Sequence, residues 1–163
     1  MLANEMILTV QPLTPQAFAP FGQVLDWREG DHPRRNFHAQ LFSNRGNAKP
    51  NLRVQRTQPT MLPFSTAQVE RHPHSSQAFA PLSGGSFYVV VFPTTLDGGP
   101  KLEGGRAFKA RGDQAINYSP GTWHLGFMAA DAPGTFLMLR WEDGTPADEE
   151  VLMLDARITI AEP

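Results

Sequence analysis

Apolar and polar residues follow one another along this chain in short runs, and turns rich in glycine and proline separate the runs. Runs that alternate with a period of two, or that are β-branched and aromatic throughout, predict β-strands. Candidate strands lie at 6–10, 52–57, 66–72, 86–93, 106–110, 114–118, 122–128, 135–141 and 157–160. Strands of about six residues at spacings of about ten are typical of β-sandwiches and barrels. The pattern therefore predicts an all-β, mainly antiparallel fold.

Three segments depart from the strand pattern. Thr14 followed by Pro15 predicts the N-cap and first turn of a short helix. Residues 148–154 predict one short helical turn. Residues 28–50 are polar, carry glycine and proline and show no periodicity, so they predict a long connection that either covers the mouth of a pocket or wraps the outside. No repeat or domain boundary interrupts the chain, and residues 1–163 are predicted to form a single domain.

Composition and charge narrow the classes of function. The 14 Lys+Arg and 16 Asp+Glu give a net charge of −2, too balanced for a protein held to nucleic acid by its phosphates. Cysteine is absent, so disulfides and thiolate chemistry are excluded and any metal must bind to nitrogen or oxygen. The longest apolar run, 87–93, is far shorter than the roughly 20 residues of a membrane helix. We expect a cytoplasmic protein without nucleic-acid or membrane partners.

Candidate metal ligands are concentrated in one short segment. His32 and His38 lie in the polar connection and are predicted to be surface residues. Glu70, His72 and Gln77 fall within eight residues of one another. Because side chains alternate faces along a strand, Glu70 and His72 point the same way.

The spacing of these residues resembles the first cupin motif, in which two ligands at x and x+2 precede a third ligand and a turn glycine. Here these are Glu70, His72, Gln77 and Gly84. The second cupin motif, a glycine, a Pro-Gly turn and a histidine, is matched by Gly112, Pro120-Gly121 and His124. The two motifs predict a cupin-like double-stranded β-helix, or jelly-roll barrel, with one or two short helices around a small-ligand site.

Longer stretches resemble one family within the cupins. The segments PLTPQAFAPFGQVLD, ERHPHSSQAFAPLSG, FYVVVFP, RAF, GDQAINYSPGTWH and FLMLRW are together similar to the ureidoglycolate lyase family of allantoin and purine degradation. The resemblance implies a homodimeric lyase that splits (S)-ureidoglycolate into glyoxylate and urea. It also implies a divalent metal such as nickel, with zinc and manganese as alternatives. Two positions depart from the family pattern: Leu125 stands where many members have a second histidine, and His74 where an apolar residue is common.

The resemblance also suggests roles for single residues. His72, His124, Glu70 and Gln77 are the expected metal ligands, with Gln77 either a ligand or a hydrogen-bond donor to one. Glu70, His72 and His124 are the expected catalytic residues, and Glu70 is the expected base if it is not a ligand.

The substrate's carboxylate and urea need further polar partners. The candidates on the predicted strands are Arg56, Gln77, Asn117, Tyr118 and Arg140. We favour Arg140 for the carboxylate, because a guanidinium fork suits that group and an arginine within an apolar strand needs a partner.

Two other functions stay open on the sequence alone. Because Leu125 replaces a histidine common in the family, the protein could instead be a non-catalytic cupin that binds a small molecule and has lost the active-site chemistry. A sugar isomerase or dioxygenase is disfavoured, because Glu70, His72 and Gln77 depart from the usual pattern of two histidines and one carboxylate.

Overall fold

The computed structural model describes residues 4–38, 40–83 and 85–163, which are almost entirely β-structure. The twelve strands in these ranges are β1 (Glu5–Pro12), β2 (Gly22–Leu25), β3 (Lys49–Thr57), β4 (Phe64–Arg71), β5 (Gln77–Ser83), β6 (Phe87–Phe92), β7 (Arg106–Ala110), β8 (Ala115–Tyr118), β9 (Trp123–His124), β10 (Met128–Ala129), β11 (Gly134–Glu142) and β12 (Glu150–Ala161). A short helix, α1 (Pro15–Phe18), and 3₁₀ turns at Leu102–Gly104 and Pro146–Asp148 complete the described elements. The all-β prediction is confirmed.

The strands form two sheets that pack face to face. One sheet has five antiparallel strands in the order β2-β8-β5-β11-β3. The other closes on itself as a ring, β6-β7-β1-β12-β4-β9, because β9 also pairs with β6, and β10 extends it from β6. Most pairs are antiparallel, but β1 runs parallel to both of its neighbours, β12 and β7.

Strand β6 separates two apolar cores, which explains why all six of its residues are buried. Phe87, Val89 and Val91 face the space between the two sheets, together with residues of β5, β8 and β11. Tyr88, Val90 and Phe92 belong to the second core, inside the closed ring. A strand buried on both faces lacks an alternating pattern, as its continuous apolar sequence predicted.

The short helix forms as predicted. The Thr14 hydroxyl accepts a hydrogen bond from the Ala17 amide at 3.2 Å, and Pro15 occupies the first turn. The helix buries Phe18 completely, with its ring against Phe108 in the core between the sheets. The helix therefore closes one end of that core.

The strand assignments need three corrections. Residues 77–83 form β5, which the sequence pattern did not predict, because Pro81 interrupts it; the ladder to β11 is irregular beside that proline. The predicted strand 122–128 is split into β9 and β10. The helical turn predicted at 148–154 is wrong from residue 150 onwards, since Glu150 begins β12, whose ladder with β4 outweighs the weak local preference.

The described residues of the connection 28–50 lead from β2 towards β3, which begins at Lys49. Its later part lies beside the turn that precedes β5. The Phe42 amide donates to the Ser76 hydroxyl at 2.9 Å, and the Ser76 amide donates to the Phe42 carbonyl at 3.0 Å. Among the described residues, no helix is long and apolar enough to cross a membrane.

Candidate active site

Three of the predicted ligands meet between the two sheets. Glu70 on β4 lies directly opposite His124 on β9, so both side chains leave the same face of the ring. His72 is the residue that immediately follows β4. Ligand atoms of Glu70, His72 and His124 all lie within 4.8 Å of one another.

The five-stranded sheet contributes a facing row of side chains. Gln77 on β5 lies opposite Tyr118 on β8 and also opposite Arg140 on β11, so the three point into the same space. Gln77 is buried, and its Oε1 has no hydrogen-bond partner among the described residues. The two strand registers therefore assemble one polar site from sequence positions far apart.

His124 presents a free nitrogen to this site. Its Nδ1 lies 2.8 Å from the Leu125 carbonyl, which can only accept, so Nδ1 carries the hydrogen and Nε2 keeps its lone pair. Nε2 is buried and unpartnered within the described part of the chain. Tyr118 stacks on the imidazole with ring centroids 4.4 Å apart and planes 7° apart, which fixes the ring. Burial, and then His72, lower the pKa of His124 to about 3.

His72 is held in a similar way. Its Nδ1 lies 3.1 Å from the Asp148 carbonyl and donates to it. The Arg140 Nη1 lies 2.9 Å from that Nδ1 and 3.3 Å from Nε2. Because Nδ1 carries the hydrogen that it donates to Asp148, it cannot accept one from Arg140. Nε2 is therefore the ring nitrogen that accepts from the Arg140 guanidinium. Burial, and then Arg140, lower the pKa of His72, so both imidazoles are neutral.

Glu70 is the acid of the cluster, and its environment does not favour its charge. Burial, and then the nearby Glu149, raise its pKa to about 7, although Arg140 acts in the opposite direction. Its Oε1 lies 3.8 Å from Nδ1 of His124. Because that imidazole is neutral, the contact is not an ion pair.

Arg140 satisfies the expectation that a partly buried arginine has partners. Its Nε donates to Glu142, and its Nη1 lies 3.7 Å from Glu149. With His72, these contacts place a guanidinium at the edge of the cluster. Glu142 and Glu149 gave no signal in the sequence, because neither belongs to a ligand motif.

The donor set suits a divalent cation. One carboxylate and two neutral imidazoles converge within 4.8 Å. With His124 included, the site therefore has the pattern of two histidines and one carboxylate that residues 70–77 alone lack. The buried Nε2 of His124 and Oε1 of Gln77 have no partner in the described structure. Divalent nickel, zinc and manganese all accept a mixture of nitrogen and oxygen ligands. A cation would also stabilise the buried carboxylate of Glu70.

Two predicted substrate-binding residues lie outside the cluster. Arg56 is exposed and bonds to Thr135, five positions from Arg140 along β11, or about 17 Å at the usual strand rise. Asn117 points to the other face of β8 from Tyr118 and donates to the Gln40 carbonyl of the outer connection. Neither one is brought to the site.

The other described residues that the sequence singled out lie outside the ligand cluster. Gly121 adopts a φ of +76°, which glycine accommodates without strain, and its amide donates to the His72 carbonyl at 2.9 Å. Leu125 packs in the core inside the ring, on the face opposite His124. His74 bonds to Asn44 and not to the cluster. Gly84 of the first motif lies outside the described residues.

Comparison with known proteins identifies the family of this chain. The sequence profile of the family described as "Ureidoglycolate lyase" matches residues 5–161. The chain belongs to the ureidoglycolate lyase family. A ureidoglycolate lyase of Pseudomonas savastanoi pv. phaseolicola is 34% identical, over 91% of this chain and 95% of its own. One of Burkholderia cepacia is 35% identical, over 92% and 88%.

The fold has a solved counterpart at lower identity. A dTDP sugar isomerase from Desulfovibrio desulfuricans G20 is 18% identical, with a TM-score of 0.50 over 83% of this chain and 87% of that one. This likeness shows the cupin-like fold. The family relatives confirm the predicted ureidoglycolate lyase and enzyme assignments, and no comparison supports the alternative of a non-catalytic binding cupin.

The pKa of Glu70 predicts a stability difference that depends on pH. A carboxyl whose pKa rises from 4.5 to about 7 on folding destabilises the wild type progressively as pH rises between these values, and fully above them. Glu70→Gln in chelator-treated protein should therefore be more stable than wild type at pH 8, by up to about 3 kcal/mol. The difference should vanish near pH 4. Urea unfolding at several pH values measures it, and parallel stability curves would contradict the assignment.

Proposed function

We propose that this protein releases urea from (S)-ureidoglycolate and leaves glyoxylate, using a divalent cation bound by Glu70, His72 and His124. The observation that carries the proposal is the convergence of these ligands, with buried unpartnered acceptors on His124 and Gln77, in a member of the ureidoglycolate lyase family. Gln77 is the proposed fourth ligand through Oε1.

The reaction is an elimination. The central carbon of the substrate carries a hydroxyl, a carboxylate and the ureido nitrogen. The hydroxyl loses its proton as its C–O bond becomes the C=O of glyoxylate, the C–N bond breaks with its electron pair, and the nitrogen gains a proton to form urea. Atoms balance without water, so the enzyme is a lyase and not a hydrolase.

When bound, a divalent cation supplies Lewis-acid polarisation that lowers the pKa of the substrate hydroxyl. His72 and His124 suit this role because both are neutral and because backbone carbonyls fix their hydrogens on Nδ1. The stacked Tyr118 keeps the ring of His124 in place. Nickel is our first candidate for the cation, with zinc and manganese as alternatives.

Proton transfer falls to Glu70 if turnover proves independent of metal. A carboxyl with a pKa of about 7 exists in both forms near neutral pH, so it can accept the hydroxyl proton and return one to the leaving nitrogen. Its side chain is 20% exposed, the most accessible of the three clustered residues, so a substrate can reach it.

Arg140 is the proposed partner of the substrate carboxylate. Its guanidinium is oriented through Nε by Glu142 and contacts His72, so it lies beside the proposed ligands. Nη1 donates to Nε2 of His72 and lies 3.7 Å from Glu149, and it would exchange both contacts for the substrate carboxylate once Nε2 of His72 binds the cation. A carboxylate bound here would stand next to the reacting carbon.

The outer face of the five-stranded sheet supports the homodimer that the family resemblance implies. Large apolar side chains there remain exposed, with Leu52 at 66%, Val54 at 64% and Leu82 at 56%. Ala78 and Ala80, on the same strand as Leu82, line a shallow apolar hollow in the same face. A two-fold axis through this face would set large residues of one copy against small residues of the other, so we propose that a second copy of the chain covers it.

We also propose that the enzyme is cytoplasmic.

Substitution of His124 tests the reaction and the site together. Wild type should release urea and glyoxylate in equal amounts. His124→Ala should lower kcat/KM at least about 100-fold, because it removes a cation ligand. His74→Ala is the matched control, since His74 contacts Asn44 outside the cluster, and should change kcat/KM less than about twofold. Wild-type activity in His124→Ala would refute the site, and the absence of both products in wild type would refute the reaction.

A charge on the apolar sheet face tests the dimer. Val54→Glu should convert the dimer to a monomer in light scattering coupled to size exclusion, because two-fold symmetry brings like charges together in an apolar interface. Leu96→Glu, at a fully exposed apolar position elsewhere, is the control and should stay dimeric. A monomeric wild type, or a dimeric Val54→Glu, would show that this face is not the interface.

A further inference from the structure

Arg45 lies in the connection between β2 and β3, called the outer segment below, and contacts the loop that follows β11. Its side chain is 14% exposed, and its guanidinium lies between two aspartates. Nη2 bonds to Asp148, and Nη1 lies 2.9 Å from Oδ1 of Asp143, an ion contact that is not aligned as a hydrogen bond. One guanidinium thus neutralises two carboxylates of the same loop.

Asp148 holds this loop closed and also contacts the active site. Its carboxylate accepts hydrogen bonds from the amides of Asp143 and Gly144, at 3.0 Å and 2.8 Å. Its carbonyl, 3.1 Å from Nδ1 of His72, is the group that fixes the hydrogen of that imidazole. The position of the loop therefore decides which nitrogen His72 offers to the site.

Both ends of the same loop contact Arg140. Glu142, at the start, bonds to its Nε, and Glu149, at the end, lies 3.7 Å from its Nη1. Glu142 belongs to β11, as Arg140 does, so a shift of the loop would move Glu149 relative to the guanidinium and would also change the His72 tautomer. Asp143 and Asp148 would drive such a shift by mutual repulsion if their shared counter-charge were lost.

We propose that Arg45 is a positioning residue for the active site. It touches neither substrate nor ligands in this assignment. By neutralising Asp143 and Asp148 it holds the 142–149 loop so that the Asp148 carbonyl sets the tautomer of His72 and Glu149 lies beside Arg140. The effect on catalysis rests on the proposed function, whereas the effect on His72 does not.

Arg45→Gln tests the role, with Arg35→Gln as the matched control. Arg35 lies in the same outer segment and also bridges two aspartates, Asp26 and Asp31, but contacts no part of the 142–149 loop within the described structure. Arg45→Gln should lower kcat/KM at least tenfold, and Arg35→Gln less than twofold. Arg45→Lys, which keeps the charge but loses the fork, should recover part of the loss.

A second readout separates positioning from general loosening of the fold. Nitrogen-15 NMR of histidine-labelled, chelator-treated protein reports which ring nitrogen of His72 carries hydrogen. Nδ1 should be protonated in wild type and in Arg35→Gln, and Arg45→Gln should move population to the other tautomer. An unchanged His72 in Arg45→Gln, or equal kinetic losses in Arg45→Gln and Arg35→Gln, would overturn the proposal. If wild type lacks lyase activity, the proposed function fails, and the NMR comparison alone decides the role of Arg45.

Discussion

Burial of three titratable side chains between two apolar sheets is the constraint on which the site depends. Removing a charge from water costs on the order of several kcal/mol, so buried groups become neutral or acquire a partner. His72 and His124 are neutral, and Glu70 has a pKa of about 7. The folded chain also leaves the buried Nε2 of His124 and Oε1 of Gln77 without a partner among the described residues, which is what a cation site requires.

Two strand registers convert this constraint into geometry. Pairing of β4 with β9 places Glu70 opposite His124, and pairing of β5 with β8 and β11 places Gln77 between Tyr118 and Arg140. A one-residue slip in either ladder would turn the polar side chains outward and apolar ones inward. The same two sheets that bury the aromatic core therefore also align the ligands.

Much of the fold and of the ligand set could be predicted because each rests on local pattern. Alternation and turn residues predicted most strands, and the resemblance to the two cupin motifs implied that Glu70, His72 and His124 lie together. The apolar surroundings of Arg140 favoured it over Arg56, but the sequence could not exclude Arg56 or Asn117, because which strand end and face reach the site depends on the barrel's registers. Strand β5 was missed because Pro81 masks its pattern, and the roles of Glu142 and Asp148 depend on long-range contacts.

The most direct test of the account is urea release from racemic ureidoglycolate by purified protein, before chelation, after chelation and after nickel or manganese is restored. The account predicts that turnover stops on chelation and returns with the metal, and that the two products form in equal amounts. Turnover indifferent to the chelator would contradict a catalytic cation held by Glu70, His72 and His124. It would leave Glu70 as the direct base.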